Sequence, residues 1–245
     1  MQGWVLFAAS STTLDGTCHE PCRRNLMLVL PSSSPVDAKP RLRGMSHAVA
    51  FVAVLPLGVL LGLQVRSPTE RVGMIAFAAA VAAMFGASGL YHRGNWSPGR
   101  RRWLRTLDHA CIFVLIAGTY TPFGLLVLDG AWRVVVLAIF WMGAAFAIAL
   151  NIVWTDVPKW LSATLALMLG WAGIVVLPQV VQLIGAGGLA LLLAGGLAYT
   201  VGAIVFATRR PDPIPQIFGY HEVFHVLVIA AVACHYSAVA FFIAS

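Results

Sequence analysis

Charge is what this sequence has least of. Of its 245 residues only 10% are Asp, Glu, Lys or Arg, while 60% are hydrophobic, and the mean hydropathy is +0.85. A water-soluble domain carries roughly 25% charged residues, so this chain cannot cover a surface that faces water on all sides. Acidic residues are the scarcer sign, and none follows Glu222. A disulfide framework is also missing. Cys18 and Cys22 lie in the N-terminal stretch, whereas Cys111 and Cys234 fall in apolar runs, where a free cysteine behaves as a small buried hydrophobe.

Long apolar runs are what the chain has in quantity. A span needs about 20 mostly apolar residues, and seven such segments can be drawn, at about 46–64, 71–91, 108–128, 132–152, 160–181, 187–207 and 222–244. The expected fold class is an all-α integral membrane protein, a seven-transmembrane helix bundle. Pro56, Pro122 and Pro178 are expected to kink spans where neighbouring helices re-satisfy the backbone. Gly58 and Gly62 form a small-xxx-small spacing that lets two helices approach closely. Packing inside one bundle accounts for it, and a homodimer is the other way to use it.

Basic residues set the orientation. With a cytoplasmic N-terminus, all but Arg66, Arg71 and Arg133 of the 16 Lys and Arg fall on the inner side, as the positive-inside rule requires. The cell membrane is then the expected location, with the C-terminus external. The net charge of +7 could suggest a nucleic-acid partner. Arg100, Arg101 and Arg102 beside Trp96 and Trp103 read instead as a topology determinant with interfacial aromatic anchors, and no nucleic acid is expected.

Residues 1–45 are rich in Ser, Thr and Pro and read as a disordered cytoplasmic tail, or as sequence upstream of a start at Met27 or Met45. The apolar run from Val5 to Ala9 is too short for a signal-peptide core. Cys18-His19-Glu20-Pro21-Cys22 has metal-ligating residue types but no matching second half.

The chemistry concentrates at the inner edge. His221-Glu222-Val223-Phe224-His225 opens the last span. Imidazoles four apart on a helix differ by about 40° in direction and about 6 Å in height, so one cation can touch both. The second span ends on the same side with Ser88 and His92 at i, i+4, and the third begins there with Asp108 and His109. Three neutral imidazoles, His92, His221 and His225, can make an open tetrahedral zinc site. Asp108 is the candidate acid/base, and Ser88 can hold a water or support an oxyanion. The plainer reading of each histidine is a polar anchor at a span end. His47, His109 and His235 read as structural, with His47 and His109 also placed to support the site.

His-Glu-x-x-His is shared with zinc peptidases, which need a further ligand. One such position is occupied here by Ala231. Leu128-Asp129-Gly130 could offer an intramembrane aspartate, but Asp129 falls at the far end of the third span. About 20 residues, or about 30 Å, separate it from the histidine pair.

Lys39-Pro40-Arg41-Leu42-Arg43-Gly44, Ser88-x-x-x-His92, Leu107-Asp108-His109, Ile116-Ala117-Gly118-Thr119-Tyr120-Thr121-Pro122 and the His221/His225 pair together resemble the hemolysin III family. This is the bacterial branch of the progestin and adiponectin receptor superfamily. The resemblance runs from about Lys39 to the C-terminus. It implies seven helices, a cytoplasmic N-terminus, zinc held by His92, His221 and His225, and Asp108 and Ser88 beside the bound water. Relatives in the wider superfamily resemble amide hydrolases of ceramide-type lipids, whereas the family name records lysis of red cells. The leading expectation is a zinc-dependent hydrolase of a membrane lipid amide or ester. A pore-forming cytolysin, and a receptor or lipid-homeostasis factor with structural zinc, are the alternatives.

Overall fold

The computed structural model describes residues 40–154 and 157–244. The candidate start at Met27, the Cys18–Cys22 cluster and all but the end of the expected tail lie outside these residues, whereas Met45 opens the first helix. The described chain is all-helical: α1 Met45–Gln64, α2 Pro68–Arg93, α3 Pro98–Leu126, α4 Gly130–Val153, α5 Lys159–Trp171, α6 Leu177–Thr208 and α7 Tyr220–Phe242. Among the described residues, six stretches are long and apolar enough to cross a membrane, and Trp160–Thr208 counts as one of them. Their outward faces carry exposed Leu, Val, Ile, Met and Trp, as lipid-facing helices do.

Two of the expected segments share that 49-residue stretch. As one straight helix it would be about 74 Å long, more than twice the ~30 Å hydrocarbon core. It is not straight. A 3₁₀ turn over Ala172–Val176 leads into Pro178, which has no N–H and suits the first turn of a new helix. Gly185 then breaks the helix with φ 61° and ψ −170°, a conformation open to glycine. The Trp171 indole N–H donates to Thr200 Oγ1 at 3.0 Å, so residues 29 apart in sequence lie side by side. The chain therefore doubles back in the interval left between the fifth and sixth expected segments. Pro56 and Pro122, by contrast, lie inside helices that continue through them.

α3 begins ten residues before the apolar run because Pro98 starts a helix that the arginines continue outside the apolar run. Hydropathy finds what lies in lipid, not where a helix begins. Small residues set the close contacts that matter for the site. A methyl group on Gly118 would overlap Ala80, which fixes α3 tightly against α2. One on Gly89 would lie 3.1 Å from the Ala48 backbone, which brings the start of α1 onto the end of α2. Gly58 packs against Ala78 of α2 within the bundle, while Gly62 faces open space.

Residues 40–44 belong to the folded body rather than to a loose tail. The Arg41 and Leu42 N–H groups donate to the carbonyls of Gln216 and Ile217 at 3.0 and 3.2 Å, joining the segment before α1 to the loop before α7. The physical reason is local: this segment caps polar backbone that the α6–α7 loop would otherwise expose.

Candidate metal centre

The end of α2, the start of α3 and the start of α7 converge. One ring nitrogen from each of His92, His221 and His225 can be chosen so that all lie within 4.8 Å of one another, a group able to hold a metal ion. His92 Nε2 and His221 Nε2 are 3.1 Å apart. Tetrahedral ligands at about 2.0–2.1 Å from zinc stand about 3.3 Å from each other, so this pair is already near ligand spacing. His225 is buried and its Nδ1 has no hydrogen-bond partner. A buried, bare imidazole nitrogen costs free energy, and a cation would relieve it. The donor set therefore fits a metal such as zinc.

Asp108 and Ser88 come to the same place. Asp108 Oδ2 lies 3.7 Å from His92 Nε2, and its carboxyl group is within reach of Ser88. Ser88 is buried, and its Oγ is 2.8 Å from His47 Nδ1. His47 Nε2 is 3.3 Å from the His225 carbonyl, which can only accept. A neutral His47 thus carries its proton on Nε2, and the Ser88 hydroxyl donates to Nδ1. Ser88 is left with lone pairs for an incoming water, while its proton is engaged. The His47 ring also stacks on His225, with centroids 3.7 Å apart and an interplanar angle of 11°.

His47 is thus a supporting group that local sequence reading undervalued. It lies 178 residues from the carbonyl it meets, and no local spacing announces such a contact. Arg43 and Gly44 were also underread. Arg43 Nε is 2.6 Å from Glu222 Oε1, and Glu222 Oε2 accepts the Gly219 N–H at 2.9 Å. Both carboxylate oxygens are occupied, so Glu222 is a buried clasp at the start of α7. It is not free to act as the general base of a zinc peptidase. Gly44 has φ 74°, and a side chain there would overlap His92.

The other candidates fall elsewhere. Asp129 is 97% exposed and pairs with Arg133 at 3.2 Å, as a surface group at the start of α4. His109 donates its Nδ1–H to the Arg105 carbonyl, 2.6 Å away within its own helix. His235 sits ten residues beyond His225 on α7 and meets the Leu192 carbonyl. Cys111 and Cys234 are free thiols, the first buried and the second half-buried. The Trp96 indole folds back onto the Leu90 carbonyl at 3.0 Å, and Trp103 is exposed. A cavity of about 780 Å³ adjoins the three histidines and Asp108 and runs between helices lined mainly by apolar side chains.

Residues 37–236 match the family model described as Haemolysin-III related. The chain is 30% identical over 202 residues to a protein named Hemolysin-3 from Bacillus cereus, covering 81% of this chain and 89% of that protein. It is 28% identical over 201 residues to a Hemolysin-3 homolog from Bacillus subtilis (strain 168), covering 81% and 91%. The match takes in all three histidines, Asp108, Ser88 and the Arg43-Gly44 segment, and the chain belongs to the haemolysin-III related family of multi-pass membrane proteins.

Proposed function

We propose that this protein is a zinc-dependent hydrolase of membrane lipid amides or esters. The observation that carries the reading is one juxtaposition. Three imidazoles within 4.8 Å of one another, and a carboxyl group 3.7 Å from one of them, face a largely apolar cavity of about 780 Å³. Such a cavity suits an acyl chain, and the polar cluster is where its head-group linkage would lie.

His92, His221 and His225 hold the ion, which when bound supplies Lewis acidity toward a water or a carbonyl oxygen. Asp108 takes a proton from the attacking water and returns it to the leaving nitrogen or oxygen, giving a free acid and an amine or alcohol. Ser88 accepts a hydrogen bond from that water and holds it beside Asp108. His47 keeps Ser88 and the His225 ring in register. In this reading the chain crosses the cell membrane seven times, with the doubled-back Trp160–Thr208 stretch supplying two crossings. The bias of Lys and Arg toward one set of loops supports a cytoplasmic N-terminus and a site at the inner leaflet.

Metal analysis of purified protein tests the first half. Wild type should carry one zinc, and His92→Ala, His221→Ala and His225→Ala should each carry much less. Asp108→Ala should keep the metal and lose turnover of lipid amides and esters. Full activity in Asp108→Ala would sink the mechanism. The name of the two relatives favours a second reading, lysis of membranes. Leakage of liposomes that persists after the three histidines are replaced would support it over hydrolysis.

A further inference from the structure

Deeper in the same cavity lies a second polar group that the proposed chemistry does not use. Tyr199 of α6 and His235 of α7 both line the cavity, with ring centroids 5.6 Å apart and an interplanar angle of 59°. The Tyr199 hydroxyl and the His235 Nδ1 are buried, and neither has a hydrogen-bond partner. The other His235 nitrogen, Nε2, is 3.3 Å from the Leu192 carbonyl. A carbonyl only accepts, so the neutral ring carries its proton on Nε2 and presents Nδ1 as a bare acceptor. Gly195 makes this possible, because any side chain there would overlap the His235 ring. An acceptor and a hydroxyl thus stand unpaired among apolar walls, where an unpaired polar group is costly.

One chemical group answers both. A hydroxyl can donate to His235 Nδ1 while accepting from the Tyr199 O–H; a methylene can do neither, and a carbonyl only the second. His235 lies ten residues beyond His225 on one continuous helix, which is about 15 Å along its axis. An extended chain covers that distance in about twelve carbon–carbon bonds. We propose that Tyr199 and His235 form a hydroxyl-recognition subsite, selecting lipids whose acyl chain carries a hydroxyl about a dozen carbons from the group held at the histidine cluster. The proposal rests on the hydrolase reading in taking the chain's polar end to sit at that cluster. A single water molecule shares the same chemistry and is the competing occupant.

The test is equilibrium binding of free acids to the metal-loaded Asp108→Asn protein in detergent, so that no turnover is needed. The probes are octadecanoate, octadecanoate hydroxylated at its twelfth carbon, and octadecanoate hydroxylated at its second. Two neutral hydrogen bonds to a preformed site should make the twelfth-carbon hydroxyl acid about tenfold tighter than the other two. Tyr199→Phe should abolish the preference, and its unliganded form should melt no lower than wild type because an orphaned hydroxyl has gone. Equal affinities for the three acids overturn the subsite, as does a marked loss of thermal stability in Tyr199→Phe, which would mean that a structural water is held there. Selective binding without any hydrolysis by the wild-type protein would instead defeat the hydrolase reading and leave the subsite standing.

Discussion

Replacing Glu222 by Gln separates a structural clasp from a catalytic base, the two roles a His-Glu-x-x-His run can suggest. Glu222 is 2% exposed and Arg43 is 19% exposed by side chain, with 2.6 Å between Nε and Oε1. Removing one partner of a buried ion pair costs about 3–5 kcal/mol because the other charge is left uncompensated. Glutamine keeps an oxygen for the Gly219 N–H, and Arg43 keeps some contact with solvent, so the loss should sit at the low end, about 3 kcal/mol. For a chain of this size that corresponds to a fall of about 6–12 °C in melting temperature. The clasp also joins the segment carrying Gly44, which abuts His92, to the helix carrying His221 and His225. Loosening it should weaken zinc binding about tenfold or more, as loss of a ligand-orienting partner does. The assay is thermal unfolding in micelles beside zinc titration. The double variant Arg43→Met with Glu222→Gln should recover part of the stability, since it removes the uncompensated charge while keeping an acceptor for the Gly219 N–H. A Glu222→Gln protein that melts and binds zinc like wild type but turns over no substrate would refute this reasoning and return Glu222 to the chemistry.

Further outcomes follow from the same geometry. His47→Ala leaves Ser88 Oγ and the His225 carbonyl without their partner, so it should lower stability by about 1–3 kcal/mol, measured by unfolding in micelles. It should also reduce zinc affinity, with His47→Phe restoring the stacking but not the Ser88 contact. Gly44→Ala places a methyl group against His92 at a positive φ and should cost more than about 1 kcal/mol, with reduced zinc content by metal analysis. Asp129→Asn removes an exposed ion pair worth at most about 0.5 kcal/mol and should leave stability, zinc content and turnover unchanged. Chelation of the loaded protein should lower its melting temperature. At a free zinc concentration of about one hundred times Kd, the bound ion contributes about 2.7 kcal/mol.

The parts of this molecule that were legible in its sequence share a property: each is written within one helix or one loop. Ser88 with His92, and His221 with His225, are i, i+4 pairs, and the loop charges alone assigned their ends to one side. The break between the fifth and sixth expected segments falls at about 182–186 in the sequence, and the helix breaks at Gly185 within it. What could not be read is the packing between helices. His47 is an unremarkable histidine in an apolar run until Gly89 lets Ala48 approach the end of α2 and brings it to Ser88. Arg43 looks in sequence like one more inner-side cation among many, yet its partner is the carboxylate that lies between the two clustered histidines of α7.

The same limit explains His235. Ten residues from His225, it points to a different face of α7, which reads as separate from the site if α7 is considered alone. The cavity wall is made by α6 as well, and Leu192, Gly195 and Tyr199 turn that second face into part of the same enclosure. A binding site between helices belongs to no single helix's periodicity. Its polar depth is therefore found from unpaired donors and acceptors in three dimensions, and its specificity is set by residues that a helix-by-helix reading assigns to packing.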